Sequence, residues 1–285
     1  AELRAAWRRH ERRFADNLYV YAVVSRRSHG VSIGINLNPG KACNFDCAYC
    51  QVDRTSPPRV RRVDLDRLFA ELDSVLRAAA DGSLYAAAPF SALDPSNRRV
   101  RDIAFSGDGE PTTFARFGEA VAIAADARRR FGLDAAKIVL ITNAAYLSKP
   151  SVRQALAVLD ANNGEIWAKL DAGTEEYFRR VERPNRSLQQ VLSSILDAAR
   201  ARPIVIQSLW MRIDGMLPPD TEVAAFCDQL NRLLAEGARL KAVQIYTIAR
   251  KPADASLTPL ADGEVDAVAD TVRARVAVPV EAYYG

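Results

Sequence analysis

Histidine, methionine and cysteine are scarce in this chain of 285 residues, with two, two and four copies. Long apolar runs are missing as well: no stretch approaches the roughly 18 residues that span a bilayer, so no membrane partner is expected. Residues 1–13 are charged and lack the apolar core of a signal peptide, and the chain opens at Ala1 without an initiator Met, as a processed or trimmed chain would. Three cysteines crowd together and leave Cys227 alone, which excludes a disulfide framework and fits a reducing cytoplasm. There is no low-complexity tract and no RNA-binding motif. The net charge of +4 is mild, and the arginine runs at 59–62 and 128–130 read as solvated faces ahead of a phosphate footprint.

About half of the residues are apolar, enough to bury the core of one α/β domain spanning 1–285. Strand-like runs alternate with segments of helical period, the pattern of repeated βα units and a parallel sheet. Strands are expected at 31–37, 101–105, 137–142, 166–170, 204–213 and 242–248. These six βα units predict a partial (βα)6 TIM-type barrel with parallel strands, its core at about 31–250. Short extensions flank it: 1–30 at the N-terminus, and a C-terminal helix and strand over 259–285. The last strand, 276–284, is expected at an edge because Pro279 cannot donate to a ladder. A helix over 63–79 has Leu65, Leu68, Leu72 and Leu76 on one face. Another over 222–235, after the capping-type Asp220, carries Cys227 in an apolar stripe with Val223, Phe226, Leu230 and Leu234, so Cys227 reads as a buried structural thiol. The connection 81–97 reads either as a substrate lid or as a disordered insertion.

What stands out is the spacing Cys43-Asn-Phe-Asp-Cys47-Ala-Tyr-Cys50. A cubane [4Fe–4S] cluster normally takes four thiolates, so a compact loop of three leaves one iron open to another ligand. Zinc is the rival occupant and would need a fourth protein ligand, for which His29 is a candidate although neither histidine falls in a CxxH arrangement. Further motifs gather at the expected C-terminal strand ends, where barrel active sites lie. Gly107-Asp108-Gly109-Glu110-Pro111-Thr112 follows the second strand; Thr142-Asn143 follows the third. Lys169 and Asp171 share one face at the end of the fourth by the period-two rule. Gln207 sits on the fifth and Tyr246 on the sixth. Asp108 and Thr112 also read as a capping turn, Thr142-Asn143 as turn chemistry, and Lys169 with Asp171 as a buried ion couple. Trp210 reads as core.

The cysteine loop, with Tyr49 in the aromatic slot, resembles the cluster-binding signature of the radical S-adenosylmethionine (SAM) superfamily. The resemblance covers about Gly34 to Ile248. It implies that Cys43, Cys47 and Cys50 hold one [4Fe–4S] cluster and that the amino and carboxylate groups of SAM chelate the open iron. Gly-Asp-Gly-Glu resembles the family's Gly-Gly-Glu motif, which implies that Gly107, Gly109 and either Asp108 or Glu110 receive the SAM ammonium. Thr142 and Asn143 resemble a Thr-Asn-Gly segment that binds the SAM carboxylate or ribose. The resemblance adds ribose binding by Asp171 and neutralisation of the SAM carboxylate by Lys169, with Gln207 and Tyr246 around adenine and methionine. The run Gln51-Val52-Asp53-Arg54 with Gly-Asp-Gly-Glu-Pro-Thr is most similar to the wyosine tRNA synthase-related group.

The implied activity is that of an oxidoreductase or lyase: the reduced cluster passes an electron to SAM, giving methionine and a 5′-deoxyadenosyl radical that abstracts hydrogen from a substrate. Only Cys227 remains after the loop, so no second cluster is expected. The chain has no flavodoxin-like module, and an external donor such as flavodoxin or ferredoxin is implied. A small molecule or peptide is the expected substrate, tRNA the runner-up. A non-catalytic zinc or iron–sulfur binding module is the alternative of another class.

Overall fold

The computed structural model describes residues 14–28, 30–250, 252 and 254–285. His10 and His29, and with His29 the zinc alternative, lie outside the described residues. The chain divides into two compact units: Ala1–Cys43, Arg54–Ile141 and Lys149–Glu165 form the first, and Asn44–Asp53, Thr142–Ser148 and Ile166–Gly285 the second.

In the first unit, β1 (Val20–Ser25) and β2 (Gly30–Ile35) form an antiparallel pair, and β3 (Val100–Phe105) and β4 (Lys137–Thr142, in this unit to Ile141) continue from β2 in parallel. The expected strands at 31–37, 101–105 and 137–142 are therefore present, whereas β1 falls inside what reads from sequence as an extension. The first unit's helices are α1 (Leu65–Ala80), α2 (Phe117–Arg130) and α3 (Pro150–Asp160). The Asp64 side chain caps α1 by accepting from the Asp66 and Arg67 amides, and the expected stripe Leu65, Leu68, Leu72 and Leu76 is buried. Alanines 120, 124 and 127 of α2 are fully buried, and α2 packs on α3. The connection 81–97 folds into three short 3₁₀ turns and buries Leu84, Phe90 and Leu93, the first two lining a cavity of about 400 Å³ with Phe14, Ala22 and Ala78 among others.

Two buried carboxylates fasten β1 and β2. Glu71 of α1 accepts from the backbone amides of Leu18, Tyr19 and Val20 at 2.9, 2.8 and 3.1 Å, so the start of β1 satisfies its polar groups on a helix side chain. Asp102 of β3 accepts from the hydroxyls of Ser28 and Ser32. Burial pushes the Asp102 carboxyl above the ordinary aspartate value despite those two donors.

In the second unit, β5 (Gly164–Lys169, in this unit from Ile166), β6 (Ile204–Leu209), β8 (Leu240–Tyr246) and β10 (Val280–Tyr283) run parallel in that order. The expected strand 204–213 breaks at Trp210: β6 stops at Leu209, and β7 (Met211–Ile213) turns away to pair antiparallel with β9 (Leu257–Pro259). Trp210 is fully buried against Tyr177 and Phe226, a core residue as read. The helices are α4 (Glu175–Val181), α5 (Leu188–Ala201), α6 (Asp220–Ala235) and α7 (Asp262–Arg275). Pro219, not Asp220, occupies the cap of α6, and Asp220 lies in the first turn. Cys227 is fully buried with Val223, Phe226 and Leu230, but the stripe closes on Leu233 in place of Leu234. β10 starts directly after Pro279, whose carbonyl still accepts from Val243 at 2.8 Å.

Because folding raises the Asp102 pKa, the native state holds its proton more tightly than the unfolded chain. That contribution is complete below about pH 4 and is lost as pH rises through the raised value, each tenfold tightening of proton binding being worth about 1.4 kcal/mol. Asp102→Asn removes the titration. Urea midpoints measured at pH 4 and pH 7 should fall more between the two for the native sequence than for the variant; equal falls would refute the assignment.

Candidate cofactor site

The cysteine loop starts in the first unit, where Cys43 follows the turn after β2. Asn36, just past β2, organises this turn: its Oδ1 accepts from the amides of Asn38 and Asp108 at 3.0 and 3.1 Å, and its Nδ2 donates to Asp108 Oδ2 at 2.7 Å. The Gly-Asp-Gly-Glu segment wraps this turn. A Cβ at Gly107 would lie 2.3 Å from Asn36 Oδ1, and one at Gly109 would lie 2.1 Å from the carbonyl of Ala42, the residue before Cys43. The two glycines are thus required by contact with the chain's own approach to the first cysteine. Glu110 is buried and takes the Thr112 amide and hydroxyl at 3.1 and 2.6 Å, the capping geometry.

Cys47 and Cys50 belong to the second unit, where the loop backbone is held by the last residue of α4 and the segment after it. Ala48 N donates to Val181 O at 2.8 Å, Asp46 N to Arg183 O at 3.3 Å, and Phe45 bridges to Pro184. Cys50 N closes on Cys47 O at 2.9 Å. Asn143 Nδ2 donates to Asn44 Oδ1 at 2.9 Å, while Thr142 Oγ1 and Asn143 Oδ1 accept from the Ala144 and Ala145 amides, so the Thr-Asn pair shapes its own turn.

Lys169 and Asp171 meet Tyr49 and Tyr246. Lys169 Nζ lies 3.0 Å from Asp171 Oδ2, donates to Tyr246 OH at 2.6 Å, and sits 4.9 and 5.2 Å from the ring centroids of Tyr49 and Tyr246. The fully buried Asp171 carboxylate also accepts from the Tyr49 hydroxyl and, at 2.7 Å, from Leu209 N; its own amide donates to Glu182 Oε1 at 3.0 Å. Burial works against charge on Lys169, but Asp171 and Tyr246 outweigh it and push the ammonium pKa up. Burial, then the Asp171 charge, raises both Tyr49 and Glu182. Gln207 points its amide elsewhere, to Gln244 Oε1 at 2.8 Å.

Sequence reasoning names Lys169, Asp171 and Tyr246, which come together, but misses Asn36, Asn44 and Glu182. Glu182 follows Asp171 by 11 residues in no recognisable pattern. Asn36 carried a local signal, since Asn-Leu-Asn-Pro-Gly after a strand is a run of turn formers.

The loop presents three part-exposed thiols, and among the described residues no group of three or more His, Cys, Asp and Glu side chains is arranged to hold a metal ion. The donor chemistry nevertheless fits an iron–sulfur cluster, which takes soft thiolates. Burial, and next the nearness of Glu182, raises the Cys47 thiol, a proton that coordination would displace.

No family model matches the chain. Its likeness to solved structures shows the fold: it is an α/β partial barrel with mostly parallel strands, the fold of radical SAM enzymes. A radical SAM methyltransferase from Sphaerobacter thermophilus superposes with a TM-score of 0.65 over 93% of this chain and 69% of that one, at 13% identity. TYW1 with a lysine–pyruvate adduct bound gives 0.50 over 87% and 74%, at 14% identity. In sequence, the chain is 28% identical to a UPF0026 protein of Methanocaldococcus jannaschii over 62% of its own length and 47% of the relative's. It is 25% identical to a UPF0026 protein of Helicobacter pylori over 74% and 63%, and 25% identical to a protein named GTPase Obg of Brachyspira hyodysenteriae over 58% and 21%. The chain therefore spans about half the length of the first of these relatives. Among the described residues, no helix is long and apolar enough to cross a membrane.

Removing Lys169 leaves Asp171 buried without its cation. Lys169→Met should destabilise the protein by about 3–5 kcal/mol in urea titrations, and Lys169→Met combined with Asp171→Asn should recover part of that loss. A loss under about 1 kcal/mol would mean that the pair does not anchor this site.

Proposed function

We propose that this protein is a radical SAM enzyme whose Cys43, Cys47 and Cys50 hold one [4Fe–4S] cluster, with SAM as cosubstrate and a small molecule or peptide as substrate. The observation that carries the reading is the loop itself: CxxxCxxC, with the intervening Tyr49 hydrogen-bonded to Asp171, in a chain of radical SAM fold. When bound, the cluster and SAM supply reductive cleavage to methionine and a 5′-deoxyadenosyl radical, hydrogen abstraction being the cofactor's chemistry.

The chain's own residues bind and orient. Gly107 and Gly109 let backbone approach backbone around the first cysteine, and Asp108, part-exposed, offers an acceptor for an ammonium group. Thr142 and Asn143 fix the turn beside Asn44, next to Cys43 in sequence. Lys169 brings positive charge to the same unit as Cys47 and Cys50, favouring an anionic carboxylate there. Asp171, fully buried with its carboxylate engaged, acts as the anchor of Tyr49 in place of the ribose ligand that the resemblance implies. An external one-electron donor completes the set.

The likeness to TYW1, a wyosine synthase, supports tRNA modification as the second reading. Bulk tRNA in a gel shift separates the two, since phosphate contacts make affinity fall steeply with salt. The relatives' extra length leaves the whole protein's partners within this proposal.

Anaerobic reconstitution should give about four irons per chain, by the stoichiometry of one cubane cluster, and dithionite with SAM should yield 5′-deoxyadenosine. Full iron loading without SAM cleavage would refute the enzyme reading, and zinc without sulfide would favour a binding module. Gly109→Ala, whose methyl would meet Ala42 O, should lower the iron retained after desalting while Ala substitution at the exposed Gly263 should not.

A further inference from the structure

One rung of the second unit's sheet is polar across four strands. Lys169 of β5, Gln207 of β6, Gln244 of β8 and Glu281 of β10 are direct register partners, each paired with the next, so their side chains share one face. Three of them form a hydrogen-bonded relay. Gln244 Nε2 donates to Glu281 Oε2 at 3.1 Å, and Gln207 Nε2 donates to Gln244 Oε1 at 2.8 Å. Tyr283 OH, two residues along β10, donates to the same Glu281 oxygen at 2.7 Å.

The relay has a direction. An ionised carboxylate only accepts, so Gln244 must turn its NH₂ to Glu281 and its carbonyl to Gln207. Gln207 must then spend an N–H on Gln244, which leaves its carbonyl at the end of the relay. That carbonyl, Gln207 Oε1, is buried and has no hydrogen-bond partner, and the residue is only 1% exposed. A buried acceptor left unmatched is costly, and polarisation along a hydrogen-bonded chain anchored on a carboxylate makes its terminal acceptor stronger. Folding accounts for the Gln207 N–H, which satisfies the buried Gln244 Oε1, but not for the Gln207 carbonyl beyond it. Access asks for side-chain movement, because the Lys169–Tyr246 hydrogen bond runs from β5 to β8 across the strand that carries Gln207.

We propose that Gln207 Oε1 is a substrate-recognition acceptor, aimed by the Glu281–Gln244 relay, which takes an N–H donor from an amide or amino group and refuses a carboxylate or phosphate at that point. The substrate role rests on the radical SAM reading; the acceptor site does not. The amino group of SAM's adenine carries the same chemistry, and the experiment separates the two sources.

Crystals of the reconstituted holoenzyme, with and without SAM, are soaked in acetamide or in N,N-dimethylacetamide, which lacks the N–H. Acetamide nitrogen within hydrogen-bond distance of Gln207 Oε1 in both crystals, with its dimethyl twin absent, is the expected result. Gln207→Met should abolish that binding; it also takes the donor from the buried Gln244 Oε1, so acetamide occupancy and not the melting temperature reads the acceptor. Glu281→Gln, on an exposed residue, allows the relay to reverse and cover Gln207 Oε1, and should weaken acetamide binding even if the first variant folds poorly. An ordered water on Oε1 with no acetamide would overturn the site. A SAM amino group on Oε1 would overturn its assignment to substrate. Formation of 5′-deoxyadenosine by the wild-type enzyme is scored separately, so failure of the radical SAM reading leaves the acetamide result standing, and the reverse.

Discussion

A carboxylate with no exposure to water has to be compensated by its surroundings, and Asp171 sets that requirement for the second unit. Lys169, the Tyr49 hydroxyl and the Leu209 amide meet it, and each comes from a different part of the chain. One charge thereby ties the end of β5 to the cysteine loop and to the end of β6. Lys169 in turn hydrogen-bonds Tyr246 at the end of β8. The desolvation cost of such a pair is large, so its retention speaks for a defined geometry more than for gained stability.

The cysteine loop carries little apolar surface of its own, with Phe45 its main buried ring, packed edge-on against Phe178 at 5.9 Å. Its order comes from polar ties: the Tyr49 hydroxyl, two backbone bonds to the last residue of α4 and the segment after it, and the Asn44–Asn143 pair. This is the construction suited to a loop that must expose thiols. An apolar staple strong enough to order the loop would also cover the sulfurs.

The strands whose residues alternate or run apolar between helical segments were legible because period and turn chemistry are local signals, and the ends of β2 to β6 lie within a few residues of expectation. β1 was not, because its apolar run sits in a charged flank and its fastening comes from Glu71, more than 50 residues away. Trp210 broke the 204–213 run for a similar reason: the residue that ends β6 is fixed by packing on Tyr177 and Phe226, a tertiary fact. At the site, motif residues were legible but their partners were not. Lys169 and Asp171 could be paired by period two, whereas Glu182 and Asn44 acquire their roles only when distant segments meet. Gln244 shares the face of Tyr246 by the same period, yet nothing in a lone glutamine signals a relay.

The close approach of Gly109 to the carbonyl of Ala42 bears on how this sequence can change over time. The glycine motif and the cysteine loop are far apart in the chain but occupy one another's van der Waals limits. A side chain at position 109 would require the chain ahead of Cys43 to move, so a change in one segment has to be matched by a change in the other.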